Sequence, residues 1–243
     1  FWENRIEISS IPSTPKEEPY YNNLYIPFGG PIVVMQMSQD ERYLICGTKF
    51  GCIIGYRVNE YKLDLKCYLN SHSEEITSIV INDTLNMFAT VSKDGLIMLH
   101  ILPSFKLVRT IQISLTINEP LVNADADNIF LSSSPLACLS LFISSKKLFK
   151  TYTINGEFIA EVQETEYTTK VNSPIKNLEF QEFLLYGTDD GLIKIRSFPY
   201  MDLINCVKPF EEQPIIALAI SPDNRYCFAW SHSNKIVMIK DQF

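Results

Sequence analysis

Along this chain, short runs of alternating apolar and polar residues are separated by polar clusters and by glycine or asparagine. Residues 31–56 read as an alternating strand, a polar turn, a second apolar strand, a turn at Gly51 and a third strand. Alternation with period two, bounded by turn residues, is the pattern of half-buried β-strands. The same grammar returns at 76–100, 174–196 and 214–239.

The turn between second and third strands falls at Gly51, Gly95, Gly191 and Asn234, giving spacings of 44, 96 and 43 residues. These are residues that tolerate positive φ, Gly freely and Asn at modest cost. The spacing of 96 is two periods, so a further copy is expected between Asn118 and Gln163. That stretch holds an apolar run to Ile143, a Ser-Ser-Lys-Lys turn, a second run, and then Asn155-Gly156 before a third. Asn-Gly between alternating strands predicts a two-residue hairpin.

A period of about 40–45 residues with four strands per unit predicts a β-propeller, in which blades stack radially because none buries both faces alone. The prediction is an all-β fold: a single propeller fragment over 1–243 with blades at 31–73, 74–117, 118–173, 174–213 and 214–243. Residues 1–30 are expected to end an earlier blade. There Phe1 to Ile8 would form a third strand after a Trp2-Glu3-Asn4 turn, and Asn23 to Pro27 a fourth. The Ser-, Pro- and Glu-rich stretch 9–20 reads as an inserted loop. The last unit stops after its third strand, so its outer strand is expected from upstream chain, and the opening residues read as the middle of a longer protein.

The turns TVSKDG at 90–95 and YGTDDG at 186–191 resemble the WD-repeat consensus. In that family a His, a Ser or Thr, an Asp and a Trp form a hydrogen-bonded network in each blade. The resemblance assigns His72, Ser92 and Asp94 to three of those positions, with His100 in the Trp position, and Thr188 and Asp190 to two in a later blade. Tyr56, Arg196 and Ile239 stand where other repeats have Trp. With no Trp-Asp ending, packing of β-branched strands is expected to supply most of the rigidity.

The order of pieces is also similar to the C-terminal propeller of BEACH-domain proteins, the group of neurobeachin and the lysosomal trafficking regulators. The residues that carry this are Phe1-Trp2-Glu3-Asn4, the stretch from Thr153 to Ala160 around Asn155-Gly156, and the closing stretch from Ile215 to Ser221. The resemblance implies seven blades, a BEACH domain upstream in the same chain, and a scaffold at membranes in vesicle trafficking.

Composition narrows the partners. With 46% hydrophobic and 20% charged residues the chain can bury a sizeable core. A net charge of −7 opposes a role in gripping nucleic acid, which needs clustered Lys and Arg. The longest apolar run, Pro135 to Ile143, is too short to span a bilayer, so no direct membrane insertion is expected. Six cysteines without a Cys-x-x-Cys pair sit mostly in apolar runs and read as reduced thiols in the cytoplasm.

The three histidines, His72, His100 and His232, form no His-Glu-x-x-His motif, and there is no Gly-x-Ser-x-Gly elbow. No catalytic residue, cofactor or metal site is therefore predicted. Asp189-Asp190 reads as a repeat turn, Glu74-Glu75 and Glu211-Glu212 as rim or an acidic docking face, and Lys146, Lys147 and Lys150 as a small basic cluster. Thr14-Pro15 offers a phosphorylation site in the inserted loop.

The function expected from sequence is a non-catalytic platform that binds other proteins or peptides through propeller loops, of BEACH type and cytoplasmic, peripheral to membranes through the rest of the protein. A WD-repeat subunit of a coat, ciliary or ubiquitin-ligase assembly is the alternative, and a propeller enzyme a more distant one.

Overall fold

The alternating runs form strands, and the strands pair antiparallel with their neighbours in sequence. The computed structural model describes residues 5–9, 21–25, 30–59, 62–116, 119–120, 126–133, 136–166, 168–171, 175–176, 182–221 and 225–240. Within these, the fold is all-β apart from one short 3-10 turn at Ser144–Lys146. The expected Trp2 to Asn4 turn, most of the 9–20 loop and Thr14 lie outside the described residues.

The chain divides into two compact units, Phe1–Ala124 and Asp125–Phe243. In the first, β1 (Arg5–Ser9) pairs with β2 (Tyr21–Tyr25). Sheet I is made of β3 (Ile32–Met37), β4 (Tyr43–Thr48), β5 (Cys52–Asn59) and β6 (Lys62–Asn70) in chain order. Sheet II repeats the order with β7 (Ile76–Asn82), β8 (Met87–Ser92), β9 (Leu96–Ile101) and β10 (Lys106–Gln112). A short pair, β11 (Ser114–Thr116) and β12 (Glu119–Pro120), comes next in the chain.

In the second unit, sheet III holds β13 (Ala126–Ser132), β14 (Cys138–Ile143), β15 (Leu148–Thr153) and β16 (Phe158–Gln163). Sheet IV holds β17 (Thr168–Val171), β18 (Ile175–Lys176), β19 (Glu182–Thr188), β20 (Ile193–Ser197) and β21 (Leu203–Val207), with β17 and β18 both on β19. Thus β17, inside the stretch 118–173 read from sequence as the preceding blade, pairs forward into sheet IV. Sheet V holds three strands, β22 (Ile215–Ile220), β23 (Tyr226–Ser231) and β24 (Ile236–Lys240).

Because successive side chains point to opposite faces, each strand serves two layers. On sheet IV, Leu184 and Tyr186 face a core with Phe130, Cys138, Phe142 and Phe149 of sheet III. Phe183 and Leu185 face the other way, into a core with Ile215, Leu218, Cys227 and Ala229 of sheet V. In the first unit, Ile45 and Ile53 of sheet I meet Ile76, Ile79 and Phe88 of sheet II. Each such side chain contributes about 1.5–3 kcal/mol when fully buried, against about 1 kcal/mol for a net hydrogen bond. The apolar faces therefore dominate the stability, and the polar contacts set register.

The turn between second and third strands is the same object in four sheets. Gly51, Gly95, Gly191 and Asn234 have φ of +79°, +80°, +87° and +59°. Each donates its N–H to the carbonyl three residues back: Thr48, Ser92, Thr188 and Ser231. In sheet III the place is taken by Lys147, at φ 52° with its N–H on the Ser144 carbonyl. The turn between first and second strands also recurs, where the Ser38 and Ser221 hydroxyls accept from Tyr43 N–H at 2.9 Å and Tyr226 N–H at 3.0 Å.

The Asn155-Gly156 hairpin differs from the two-residue turn expected. Thr153 N–H bonds the Glu157 carbonyl at 2.8 Å, enclosing three residues, and among them only Gly156 has positive φ, +87°. A two-residue turn of the favoured type needs positive φ at both central positions, whereas a three-residue loop needs it only at the last.

Gly51 admits no side chain: a Cβ there would sit 2.2 Å from the His72 carbonyl oxygen. Gly51→Ala is expected to cost about 1–3 kcal/mol from backbone strain alone, with the clash adding to it. Asn234→Gly, at the same backbone place, should change stability by less than about 1 kcal/mol. Urea midpoints of the purified variants measure both.

Candidate functional site

Where the chain leaves a fourth strand for the next sheet, its first residues bond back to the left-handed turn residue just passed. His72 N–H reaches the Gly51 carbonyl at 3.0 Å, Ile113 N–H the Gly95 carbonyl at 2.8 Å, and Glu164 N–H the Lys147 carbonyl at 2.8 Å. This fixes the backbone, and at His72 and Glu164 the side chain is then aimed into the next sheet.

The His72 ring lies between the second strand and turn of sheet II. Its Nδ1 is 3.0 Å from Asp94 Oδ2, and its Nε2 is 2.9 Å from Thr90 Oγ1. Asp94 also accepts from the N–H groups of Ser73 at 3.1 Å and Leu96 at 3.0 Å. Burial holds the His72 pKa below its ordinary value, against the pull of Asp94. The neutral ring then donates from Nδ1 to the carboxylate and accepts the Thr90 hydroxyl at Nε2.

Hydroxyl, imidazole and carboxylate in this order match the arrangement of an activated nucleophile. The His72 side chain and Thr90 are 0% exposed, however, and the Asp94 side chain 7%. No substrate atom reaches the hydroxyl, so the three groups tie the 71–75 connection to the turn at Asp94. Ser92, which the sequence pointed to, is one step aside: its hydroxyl donates to the Glu74 carbonyl at 3.0 Å and accepts from Asp94 N–H at 3.2 Å. Thr90 holds the His72 ring instead. The two residues lie on one face of β8, two apart, and the pattern alone does not choose between them.

His100 stacks on Phe88 with ring centroids 4.8 Å apart and planes at 8°. It is buried, its Nδ1 has no hydrogen-bond partner, and burial, with His72 nearby, pushes its pKa down to about 4.

Sheet IV solves the same problem with charge. Glu164 reaches Tyr186 Oη at 2.5 Å, Arg196 Nε at 3.0 Å and Lys194 Nζ at 2.7 Å. Lys194 also bonds Glu166 at 2.6 Å, and Arg196 bonds the Met201 carbonyl at 2.8 Å. The Glu164 side chain is 2% exposed and those of Lys194 and Arg196 11% each. Burial alone would raise the Glu164 pKa, but the donors on Lys194, Tyr186 and Arg196 outweigh it and hold the carboxyl low. Glu166, bonded to Lys194 and Thr165, is held down to about 2.

Tyr186 stands four residues before Asp190, as Thr90 stands four before Asp94, and Glu164 takes the place of His72. Sequence reasoning missed this cluster. The predicted pair Thr188 and Asp190 closes on itself instead, with the Thr188 hydroxyl on Asp190 at 2.5 Å and Leu192 N–H on Thr188 Oγ1 at 3.0 Å.

The remaining candidates disperse. Lys150 is buried and paired with Glu161 at 2.7 Å, while Lys147 Nζ bonds the Thr165 carbonyl at 2.8 Å, so the basic cluster is split. Glu75 pairs with Lys93 at 2.8 Å, whereas Glu74, Glu211 and Glu212 are exposed. Cys46, Cys52, Cys138 and Cys227 are buried free thiols; burial pushes Cys46 up to about 12 and Cys227 up to about 11. Among the described residues, no cluster of His, Cys, Asp and Glu could hold a metal ion, and no helix is long and apolar enough to cross a membrane.

The buried histidines of sheet II and the paired carboxylates of sheet IV both lose stability in acid, over different ranges of pH. A histidine kept neutral by burial binds its proton more weakly folded than unfolded, so its contribution is present above the ordinary value of 6.5 and is lost as pH falls toward 4. His100→Phe is expected to flatten that part of the pH–stability curve and to raise the urea midpoint at neutral pH by removing the orphaned nitrogen. Depressed carboxylates have the same sign in a lower window: their contribution is kept above 4.5 and lost as pH falls toward about 2. Glu164→Gln leaves two buried cations short of a partner and should cost about 3–5 kcal/mol. Glu166→Gln, on a more exposed side chain, should cost about 1 kcal/mol or less. Equilibrium unfolding across pH reads all three.

No family model matches the sequence, and no curated protein is similar to it. Among solved structures, 1523 chains are similar, so the fold is widespread and does not itself select a function. One is the crystal structure of the computationally designed Ika8 protein, with a TM-score of 0.63 at 12% identity. The match covers 86% of this chain but spans only 58% of that one, and at this identity the likeness is one of fold alone.

Proposed function

We propose that this chain is part of a WD-repeat β-propeller that serves as a non-catalytic platform for binding other proteins. The reading takes the sheets as successive blades of a ring of seven, of the kind found at the C-terminus of BEACH-domain proteins acting in membrane trafficking. The supports are the repeat period, the shared left-handed turn, and the resemblances at 90–95, 153–160, 186–191 and 215–221.

The observation that carries the interaction role is the double fastening of the connections at 71–75 and 164–166. Each is bonded by backbone to the turn behind it and by a buried side chain to the sheet ahead. A loop held this way presents its exposed groups, such as Glu74, with little ordering entropy left to lose on binding.

The test is recovery of complexes formed by the purified chain in cytosolic extract, compared with Glu74→Lys together with Glu211→Lys, and separately with His72→Ala. Trafficking proteins retained by the unaltered chain, and reduced about tenfold by either change, correspond to a loss near 1.4 kcal/mol and are the expected outcome. A partner set indifferent to both changes overturns the reading, and retention of coat, ciliary or ubiquitin-ligase subunits moves it to the alternative.

A further inference from the structure

In sheets I to IV the fourth strand is interrupted at one fixed place. Pairing slips by one residue between the fourth and fifth third-strand positions past the left-handed turn, which in sheet II are Leu99 and His100. The fourth-strand residue left over is Lys66, Val108, Ile159 or Ile204. Such a bulge re-aims side chains and twists the strand, so a further strand is not templated along that edge.

The two sheets of the first unit differ from the others in what this bulged rim displays. There β6 carries Lys62 and Lys66, and β10 carries Lys106 and Arg109, all four exposed. Among the described residues, none of these four side chains has a hydrogen bond or an ion pair. By contrast Arg42, Lys93, Lys150, Lys194 and Arg196 each pair with a carboxylate. The one acid on the two strands, Asp64, accepts from the side-chain amide of Asn59. On sheets III and IV the rim is different: β16 holds Glu161 and no cation, and β21 holds no charge.

Apolar surface lies among these cations. Between Lys106 and Arg109 stand Leu107 and Val108, 53% and 48% exposed. Cys67, next to Lys66, and Phe105, next to Lys106, both lie against Gly55, so the two rims come together at one place.

We propose that this rim of the first unit docks on a membrane surface rich in anionic phospholipid. Lys66, Lys106 and Arg109 meet the headgroups, and Leu107 and Val108 enter the layer between them. Cations beside exposed aliphatic side chains are the composition of a surface that lies on a bilayer without crossing it. The complementarity is local: the whole chain carries −7, so an anionic bilayer repels the rest of it and selects this rim. An added polypeptide strand suits the rim less well, because it would meet one edge only, and that edge is broken by its bulge. The surface uses none of the connection residues of the interaction reading above, so either can fail while the other stands.

The purified chain is sedimented with vesicles of phosphatidylcholine alone and with vesicles in which about 30% of the lipid is phosphatidylserine. Expected is binding to the second kind only, weakening as salt is raised. Lys106→Glu together with Arg109→Glu should reduce it about tenfold or more. Leu107→Ser together with Val108→Ser, with every charge kept, should reduce it by about fivefold or more. Lys146→Glu together with Lys208→Glu, the same charge change on exposed lysines of the second unit, should change it by less than about twofold. Each variant is compared at a urea midpoint equal to that of the unaltered chain, so that loss of binding is not loss of fold. No binding to phosphatidylserine vesicles at low salt overturns the proposal, and so does binding that the two charge variants weaken equally. Capture by polyglutamate through Lys106 and Arg109, with no retention on vesicles, also overturns it and makes the partner an acidic polypeptide.

Discussion

One left-handed residue, closing the second strand of a sheet onto the third, governs much of the structure around it. It brings third strand beside second in a fixed register, and in sheets I to III its carbonyl catches the chain as it leaves the fourth strand. That catch sets where the chain leaves the finished sheet. The apolar cores between sheets supply most of the free energy, but they have no direction of their own. Direction comes from this backbone contact.

Much of this frame is legible in the residues, because a positive φ is costly for most side chains and Gly or Asn therefore marks it. Where a residue without that signature takes the same conformation, as Lys147 does at φ 52°, the mark vanishes and only the strands on either side remain to indicate the turn. The Asn155-Gly156 pair was legible as a hairpin and not as its length, since both loop types end in a glycine of positive φ. Ser38 and Ser221 went unnoticed because a serine in a polar turn looks the same whether or not its hydroxyl closes the turn.

The polar pins were half legible. His72 and Asp94 stand out as a histidine before a repeat and a carboxylate before a glycine. Glu164 does not, being one acid among several in a charged stretch, and nothing local distinguishes a solvated glutamate from one with two buried cations against it. Its partners Tyr186, Lys194 and Arg196 come from two strands that lie beside each other only once sheet IV has formed. Such a cluster is a product of the fold, whereas the His72 cluster is also a product of a recognisable motif.

The neutral pin of sheet II and the charged pin of sheet IV hang on the same backbone hook. Once the hook fixes where a side chain enters the next sheet, the chemistry that receives it can change wholesale: imidazole for carboxylate, hydroxyl for phenol, aromatic ring for guanidinium. A repeat built this way can drift in sequence, each copy finding its own partners, without its strands changing places. Divergence among the five sheets is then a freedom that the architecture itself confers rather than a sign of decay.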